Sequence, residues 1–274
     1  MPDRPPRSAL TPPPPPSAIN QQPSITNYWE RSRWPLQSLY FLLPLLVIYE
    51  LGASTYLWDR GQQHTAHRLM VHWLDWFGVT GRHLPALVVV GTLIGMHVYR
   101  RRAGGEHDAW RPEPKLYLAM AFETVILSLP LFVFMSAMFR SPMPGVAGLS
   151  DLQQFFTGDT FEQWKGYVVV SIGAGVYEEL LFRLFAIGLV KLIATEWFAL
   201  PDEVSTGSAV VLSSLGFAFI HFAGGQEFDV ARFLFYFVTG LYFGAVYLGR
   251  GFGMAVATHT FYDVLIFSKY LYQQ

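Results

Sequence analysis

Apolar stretches of membrane-spanning length constrain the fold of this chain more than any other feature of its sequence. A helix needs roughly 20 predominantly apolar residues to cross a bilayer, and a helix satisfies all of its backbone polar groups there. Of the 274 residues, 52% are hydrophobic and 14% charged, whereas about a quarter are charged in a typical soluble domain. We therefore expect an all-α, polytopic membrane bundle. Its seven predicted spans are 37–58, 84–100, 116–139, 166–190, 209–223, 231–249 and 253–270.

Two further segments precede or interrupt these spans. Residues 1–33 contain an unbroken proline run from Pro12 to Pro16, which predicts a disordered tail ahead of a membrane domain over 34–274. This tail is either a solvated extension or a recruitment site for a partner, and the sequence is compatible with both. Residues 63–77 place apolar and aromatic side chains near one face, with three histidines among them. That pattern predicts an amphipathic helix in the membrane interface.

The charged residues and the absence of cysteine exclude several classes of function, and the distribution of Lys and Arg indicates the orientation of the chain in the membrane. The net charge is −1 without a basic block, so nothing indicates a nucleic-acid partner. The absence of cysteine excludes disulfides, thiolate metal sites and a cysteine nucleophile. With the N-terminus inside, eleven Lys and Arg residues flank the spans on the cytoplasmic side and seven on the other side, and the densest cluster runs from Arg100 to Lys115. The positive-inside rule therefore favours a cytoplasmic N-terminus.

The fourth span carries ionisable residues, which cost about 2.5 to 3.5 kcal/mol each on insertion scales and are functional candidates by default. Adjacent Glu178 and Glu179 are followed by Arg183. Glu179 and Arg183 are four residues apart and can pair along one helix face. Glu178 projects about 100° away from Glu179 and has no obvious partner on its own helix. A desolvated carboxylate of this kind is suited to act as a general base.

Two later spans contribute histidines and an aspartate. The fifth span contains Phe217 and His221, and the seventh contains His259 and Asp263. His259 and Asp263 are also four residues apart, so the carboxylate can orient or charge-stabilise the imidazole. Each of these residues alone is more often structural. Together with the double glutamate, on three spans of a chain poor in charge, they indicate a site for chemistry.

Other features inside the spans favour structural interpretations. Gly240 and Gly244 form a GxxxG step in the sixth span, which predicts close helix packing within the molecule. Glu50 and Glu123 are expected to face the bundle or to reach toward the interface, and Glu123 could also pair with Arg183.

The clustered residues resemble a known family pattern, that of the CPBP (CAAX-processing and bacteriocin-processing, or Abi) intramembrane peptidases, which include CAAX prenyl endopeptidases. The three motifs occur in family order, as EExxxR at Glu178, Glu179 and Arg183, FxxxH at Phe217 and His221, and HxxxD at His259 and Asp263. The resemblance places the peptidase core at about 160–274.

The resemblance implies an intramembrane endopeptidase that acts on a membrane protein or a lipidated peptide. In such enzymes the first glutamate and the histidine of the second motif activate water, which implies Glu178 as base and His221 as its partner. The third motif implies His259 and Asp263 as the groups that stabilise the oxyanion. The remaining motif residues would then support this centre; they are Glu179, Arg183 and Phe217.

Asp263 departs from the CAAX-processing members, which commonly carry Asn at this position. An amide can donate a hydrogen bond to an oxyanion, whereas an ionised carboxylate cannot donate and would repel it. We therefore expect Asp263 to act through His259, by holding the imidazole as a charged donor. A protonated Asp263 is the alternative.

Other interpretations of the cluster and of the protein's function stay open. Glu178, His221, His259 and Asp263 could form a metal site, because two histidines with carboxylates suit zinc and an activated water; we favour the metal-free mechanism. Buried Glu, His and Asp side chains also build proton relays, which would indicate a proton-coupled transporter. A catalytically silent membrane scaffold is the third class of function.

Overall fold

The computed structural model describes residues 25–56, 84–103, 111–139, 160–222 and 227–271, and these are helical apart from short connections, with no strand among them. The helices are α1 (Ile25–Arg31), α2 (Pro35–Tyr56), α3 (Leu84–Arg102), α4 (Pro114–Met138), α5 (Thr160–Glu179), a π-helical segment (Leu180–Ala186), α6 (Ile187–Glu196), α7 (Asp202–Ile220), α8 (Val230–Arg250) and α9 (Phe252–Leu271). The predicted all-α fold is confirmed.

Within the described residues, each of the seven predicted spans overlaps helical structure. Among the described residues, four helices are both long and apolar enough to cross a membrane, namely α2, α4, α7 and α8. The fifth span begins earlier than its apolar pattern predicts, because α7 starts at Asp202 and has 19 residues. Its first turn carries Asp202 and Glu203, which are favourable at a helix N-terminus but interrupt the apolar run.

The predicted tail and the predicted interfacial helix fall largely outside the described residues. Residues 1–24 and 63–77 are among those that the structure does not describe. The last part of the predicted tail, Ile25–Arg31, forms the helix α1. This helix lies ahead of residue 34, where the membrane domain was predicted to start.

Helix α9 lies at the centre of the bundle, where it packs against α5, α4, α8 and α2. Its residues 252–260 are all buried. Gly175 allows a close approach of α5, since a Cβ at this position would lie 2.9 Å from both the Thr260 nitrogen and the Val256 carbonyl oxygen. This contact between backbones places His259 of α9 opposite the glutamates at the end of α5.

Helix α8 packs on α7 through two glycines. A Cβ at Gly240 would lie 3.0 Å from the Cα of Ser214, and one at Gly244 would lie 2.9 Å from Cγ1 of Val210. The GxxxG step thus brings two helices of the same chain together, which confirms the predicted packing role. The turn into α9 uses Gly251 at φ 86°, a backbone conformation that favours glycine.

Glu123 pairs with Arg250, not with Arg183, so the pairing considered from the sequence is wrong. Nε and Nη2 of Arg250 donate to the two carboxylate oxygens of Glu123 at 2.6 Å each. The hydroxyl of Tyr28 in α1 donates to the same carboxylate at 2.5 Å. Arg183 is engaged elsewhere because Glu179 on its own helix binds it. Glu50 faces the bundle, where the Tyr177 hydroxyl donates to it at 3.4 Å.

Candidate active site

The end of α5 holds two buried carboxylates, Glu178 and Glu179, which are 3% and 0% exposed. Arg183, which is also fully buried, lies in the π-helical segment that follows. Its Nε lies 3.2 Å from Oε2 of Glu179, which confirms the ion pair predicted from the spacing. Burying either group without a partner would be strongly unfavourable, so the pairing offsets part of the cost of burying both.

The guanidinium of Arg183 connects three elements of the bundle. Its Nη2 donates to the carbonyl oxygen of Gly240 in α8 at 3.1 Å. Its Cζ lies 4.4 Å from the ring centroid of Phe217 in α7 and 5.5 Å from that of Phe243 in α8, distances typical of cation–π contacts. Arg183 therefore holds Glu179 in place while it ties the π-helical segment to α7 and α8.

The π-helical segment is itself supported by a neighbouring helix. The hydroxyl of Ser213 in α7 donates to the carbonyl oxygen of Phe182 at 2.5 Å. Such segments occur mostly as short insertions in α-helices and are frequent at functional sites. Here the insertion begins directly after Glu179 and contains Arg183, so it sets the position of the arginine relative to the two glutamates.

His259 of α9 is bound between three carboxyl groups. Its Nδ1 lies 2.8 Å from Oε1 of Glu179. Its Nε2 lies 3.7 Å from Oε2 of Glu178 and 3.6 Å from Oδ2 of Asp263, and its ring stacks on Phe243 at 4.5 Å between centroids. Because a carboxylate oxygen only accepts, Nδ1 donates to Glu179 and Nε2 faces the other two carboxyl groups.

This arrangement gives Glu179 a contact that the sequence analysis missed. The spacing placed Glu179 beside Arg183 only, and it made Asp263 the partner of His259. The structure adds the shorter contact from Glu179, so the carboxylate bridges Arg183 and His259. No sequence signal could have identified this contact, since Glu179 and His259 are 80 residues apart and their meeting depends on how α5 and α9 cross.

His221 caps the end of α7 and has a defined tautomer. Its Nδ1 lies 2.7 Å from the carbonyl oxygen of Phe217. A carbonyl oxygen only accepts, so Nδ1 carries a proton and Nε2 has the lone pair in the neutral ring. The ring stacks on Tyr236 with centroids 3.9 Å apart. His221 therefore presents a fixed imidazole whose Nε2 can act as a base.

Phe217 lies between the two histidines and brings the three sequence motifs together. Its ring centroid is 4.8 Å from that of His221 and 5.9 Å from that of His259. It also lies against Arg183 of the first motif. The structure thus gathers EExxxR, FxxxH and HxxxD around one phenylalanine. Phe217 and His221 come from α7, one turn apart on the same face, which is why the FxxxH spacing suits this arrangement.

The members of the cluster differ in how deeply they are buried. The Asp263 side chain is 20% exposed, whereas those of Glu178 and His259 are 4% and 5% exposed. His221 is also only partly buried. Asp263 and His221 are therefore the more exposed members of the cluster, and Glu178 and His259 are the more deeply buried ones.

The cluster contains residue types that can bind zinc, namely histidines and carboxylates. Within the described ranges, no group of three or more His, Asp or Glu side chains is arranged to hold a metal ion. Nδ1 of His259 is engaged by Glu179 and Nδ1 of His221 by the Phe217 carbonyl, which leaves Nε2 of each ring available. Histidines that bind metal ions are commonly oriented by contacts of the same kind.

A helical bundle with apolar helices of membrane-spanning length indicates an integral membrane protein, and this one holds a buried cluster of Glu, His and Asp side chains. The model of one family, described as type II CAAX prenyl endopeptidase Rce1-like, matches residues 160–265. The matched segment contains all three motifs, and the resemblance to CPBP peptidases is confirmed. The match supports CAAX-type intramembrane protease activity in general. No curated protein and no solved structure matches the chain.

Proposed function

We propose that this protein is an intramembrane endopeptidase in which Glu178 and His221 activate a water for attack on a peptide bond. The observation that carries the proposal is the buried Glu178 carboxylate, 3.7 Å from His259, in a segment that matches a family of peptidases. The substrate is a membrane-associated protein or a lipidated peptide in the bilayer, and the N-terminus lies in the cytoplasm.

Glu178 is the general base in this proposal. It takes a proton from the water, the hydroxide attacks the carbonyl carbon, and a tetrahedral oxyanion forms. When the C–N bond breaks, the leaving nitrogen takes the proton back from Glu178, which returns the carboxylate to its starting state. The burial of Glu178 suits this role, because proton transfer between fixed groups in a water-poor site needs little reorganisation.

His221 assists in positioning and activating the same water. The Phe217 carbonyl holds the proton on Nδ1, and stacking on Tyr236 fixes the ring plane. Nε2 is therefore available to accept a hydrogen bond from the water. A fixed base supplies typically about 10²- to 10⁴-fold in rate.

His259 is the proposed oxyanion donor, and Asp263 acts through it. Glu179 fixes the ring through Nδ1, so Nε2 is the nitrogen that can donate to the oxyanion. The nearby carboxyl groups of Glu178 and Asp263 support a charged imidazole, and that charge is what Asp263 contributes. Asp263 need not touch the oxyanion, and its inability to donate is then no obstacle.

The mechanism uses no metal ion. The water is activated by the Glu178 and His221 side chains alone, and the oxyanion is stabilised by an imidazole. In this proposal, Nε2 of His221 accepts a hydrogen bond from the water and Nε2 of His259 donates one to the oxyanion.

The experiment compares membrane proteomes of cells that carry the wild-type protein, Glu178→Gln or His221→Ala. We expect a new protein terminus only with the wild type, while all variants accumulate in the membrane equally. Glu50→Gln is the matched control, since Glu50 is another carboxylate on an apolar helix and its contact with Tyr177 needs only an acceptor. The control should retain full cleavage.

The outcomes separate the other classes of function. Full cleavage by Glu178→Gln and His221→Ala would overturn the assignment of the base. Proton flux in liposomes that depends on a solute, without any cleavage, would instead support a transporter. A wild-type phenotype that persists in Glu178→Gln without any cleaved product would support a scaffold.

A further inference from the structure

A groove of about 870 Å³ lies at one end of the bundle, outside the peptidase cluster. It is formed where α1, the start of α2, the end of α3 and the turn from α8 to α9 meet. Its inner wall is apolar and its outer edge is cationic. The residues that matter here are Leu93, Met96, Leu184 and Phe252 on the wall and Arg33 and Arg100 at the edge.

The two arginines give the groove an excess of positive charge. Both are exposed, and they face a single lining carboxylate, that of Glu30. Nη2 of Arg33 donates to the Leu248 carbonyl oxygen at 3.1 Å, which holds the guanidinium at the edge of the groove. Arg100 forms no ion pair with any residue in the described ranges. Arg101 and Arg102 extend the positive charge along the last turn of α3.

Helix α1 forms one wall of the groove and is firmly attached. The Cζ atom of Arg250, at the end of α8, lies over the Trp29 ring at 3.9 Å from its centroid. The same arginine binds Glu123 through two hydrogen bonds. Arg31 of α1 is also paired with Glu113, next to the start of α4. The groove is therefore largely formed before any ligand enters, which lowers the ordering cost of binding.

We propose that this groove binds an anionic glycerophospholipid, with its phosphate between Arg33 and Arg100 and an acyl chain along Leu93, Met96 and Leu184. A cationic edge over an apolar wall matches an amphipathic anion better than a small soluble anion, which would leave the apolar wall uncovered. The volume lies within the range of about 300 to 1,000 Å³ for ligand sites. Basic pockets between membrane helices bind anionic headgroups in this way.

The test uses the full chain, purified in a neutral detergent and titrated with phosphatidylglycerol or phosphatidylcholine of the same acyl chains. Retained lipid is counted by native mass spectrometry, and the thermal midpoint is followed in parallel. We expect one tightly retained phosphatidylglycerol and a rise of the midpoint, because a ligand that binds only the folded state stabilises it. Phosphatidylcholine should bind about tenfold more weakly or worse, because it carries no net charge for the arginines.

The double variant Arg33→Gln and Arg100→Gln should lose at least about tenfold in affinity for phosphatidylglycerol, since each arginine near an anionic surface contributes about fivefold. Arg102→Gln is the matched control, because it removes the same charge from the same helix end without lining the groove. It should bind like the wild type. Thermal midpoints without lipid show whether each variant is folded.

Three results would overturn the proposal. If Arg102→Gln lowered the affinity for phosphatidylglycerol equally, lipid binding would depend on the total charge at this end of the protein and not on the groove. Equal retention of phosphatidylcholine would mean that the arginines do not select the headgroup. An equal stabilisation by glycerol phosphate, which has no acyl chain, would mean that the edge binds soluble anions and the apolar wall contributes nothing.

Discussion

His259 and Glu179 lie 80 residues apart in the chain, yet Nδ1 of the histidine is 2.8 Å from Oε1 of the glutamate. The other oxygen of this carboxylate faces Nε of Arg183 at 3.2 Å. Glu179 thus connects the arginine that anchors the π-helical segment to the histidine that faces Glu178. This contact fixes both the orientation of His259 and the nitrogen that it can offer to a reacting group.

Glu179→Gln should lower the rate of cleavage by about 10²-fold, with a smaller change in KM, because the amide keeps the shape but removes the charge that holds His259. If the oxygen of the new amide accepts the hydrogen bond from His259, its NH2 group faces the guanidinium of Arg183, which is also a donor. The measurement is kcat and KM on the terminus found in the proteome comparison. Glu50→Gln serves as the control and should change neither value. Unchanged kcat in Glu179→Gln would show that His259 needs no charged partner.

Arg183→Met should destabilise the protein by about 3 to 5 kcal/mol, because it leaves the buried Glu179 carboxylate without its cation. It also leaves the Gly240 carbonyl without its donor. Unfolding in mixed micelles gives the change in free energy. Lys191→Met is the comparison, since the Lys191–Asp202 pair is exposed and such pairs contribute less than about 1 kcal/mol. Equal losses in both variants would contradict a special role for burial at Arg183.

Gly175→Ala should cost about 1 to 3 kcal/mol of stability and reduce cleavage, because the added methyl group forces α5 and α9 apart. The methyl would meet Oγ1 of Thr260 and the α9 backbone, beside His259. Unfolding in mixed micelles gives the change in stability, and kcat and KM give the change in cleavage. Gly188→Ala is the matched control, as a Cβ there has no atom within 4 Å, and it should be neutral or slightly stabilising. A harmless Gly175→Ala would mean that α9 can shift without disturbing the cluster.

Removal of metal ions should leave cleavage unchanged. The proposed chemistry relies on Glu178, His221 and His259 alone, so extensive dialysis against a chelator should not reduce the rate. The metal content of the same sample, measured by inductively coupled plasma mass spectrometry, should be far below one ion per chain. A stoichiometric metal, lost together with activity and restored with it by added zinc, would replace the proposed mechanism with a metal-dependent one.

The sequence by itself determined the class of fold and the membership of the cluster. Apolar length predicted the helical segments, since a bilayer leaves a chain few other ways to satisfy its backbone. The four-residue spacing of Glu179 and Arg183 predicted their pair, because this spacing puts two side chains on one helix face. These are local or length-dependent properties, and they can be evaluated without knowing how any two helices cross.

Only the tertiary structure decided which polar groups meet across helices. Glu179 reaches His259 because Gly175 lets α5 and α9 approach through their backbones. Glu123 binds Arg250 and Tyr28, which lie 127 and 95 residues away in the chain. Buried polar groups take the nearest partner that the packing supplies, since leaving one unpaired costs more than any local preference offers. Which partner is nearest depends on helix crossings, and local spacing does not determine those.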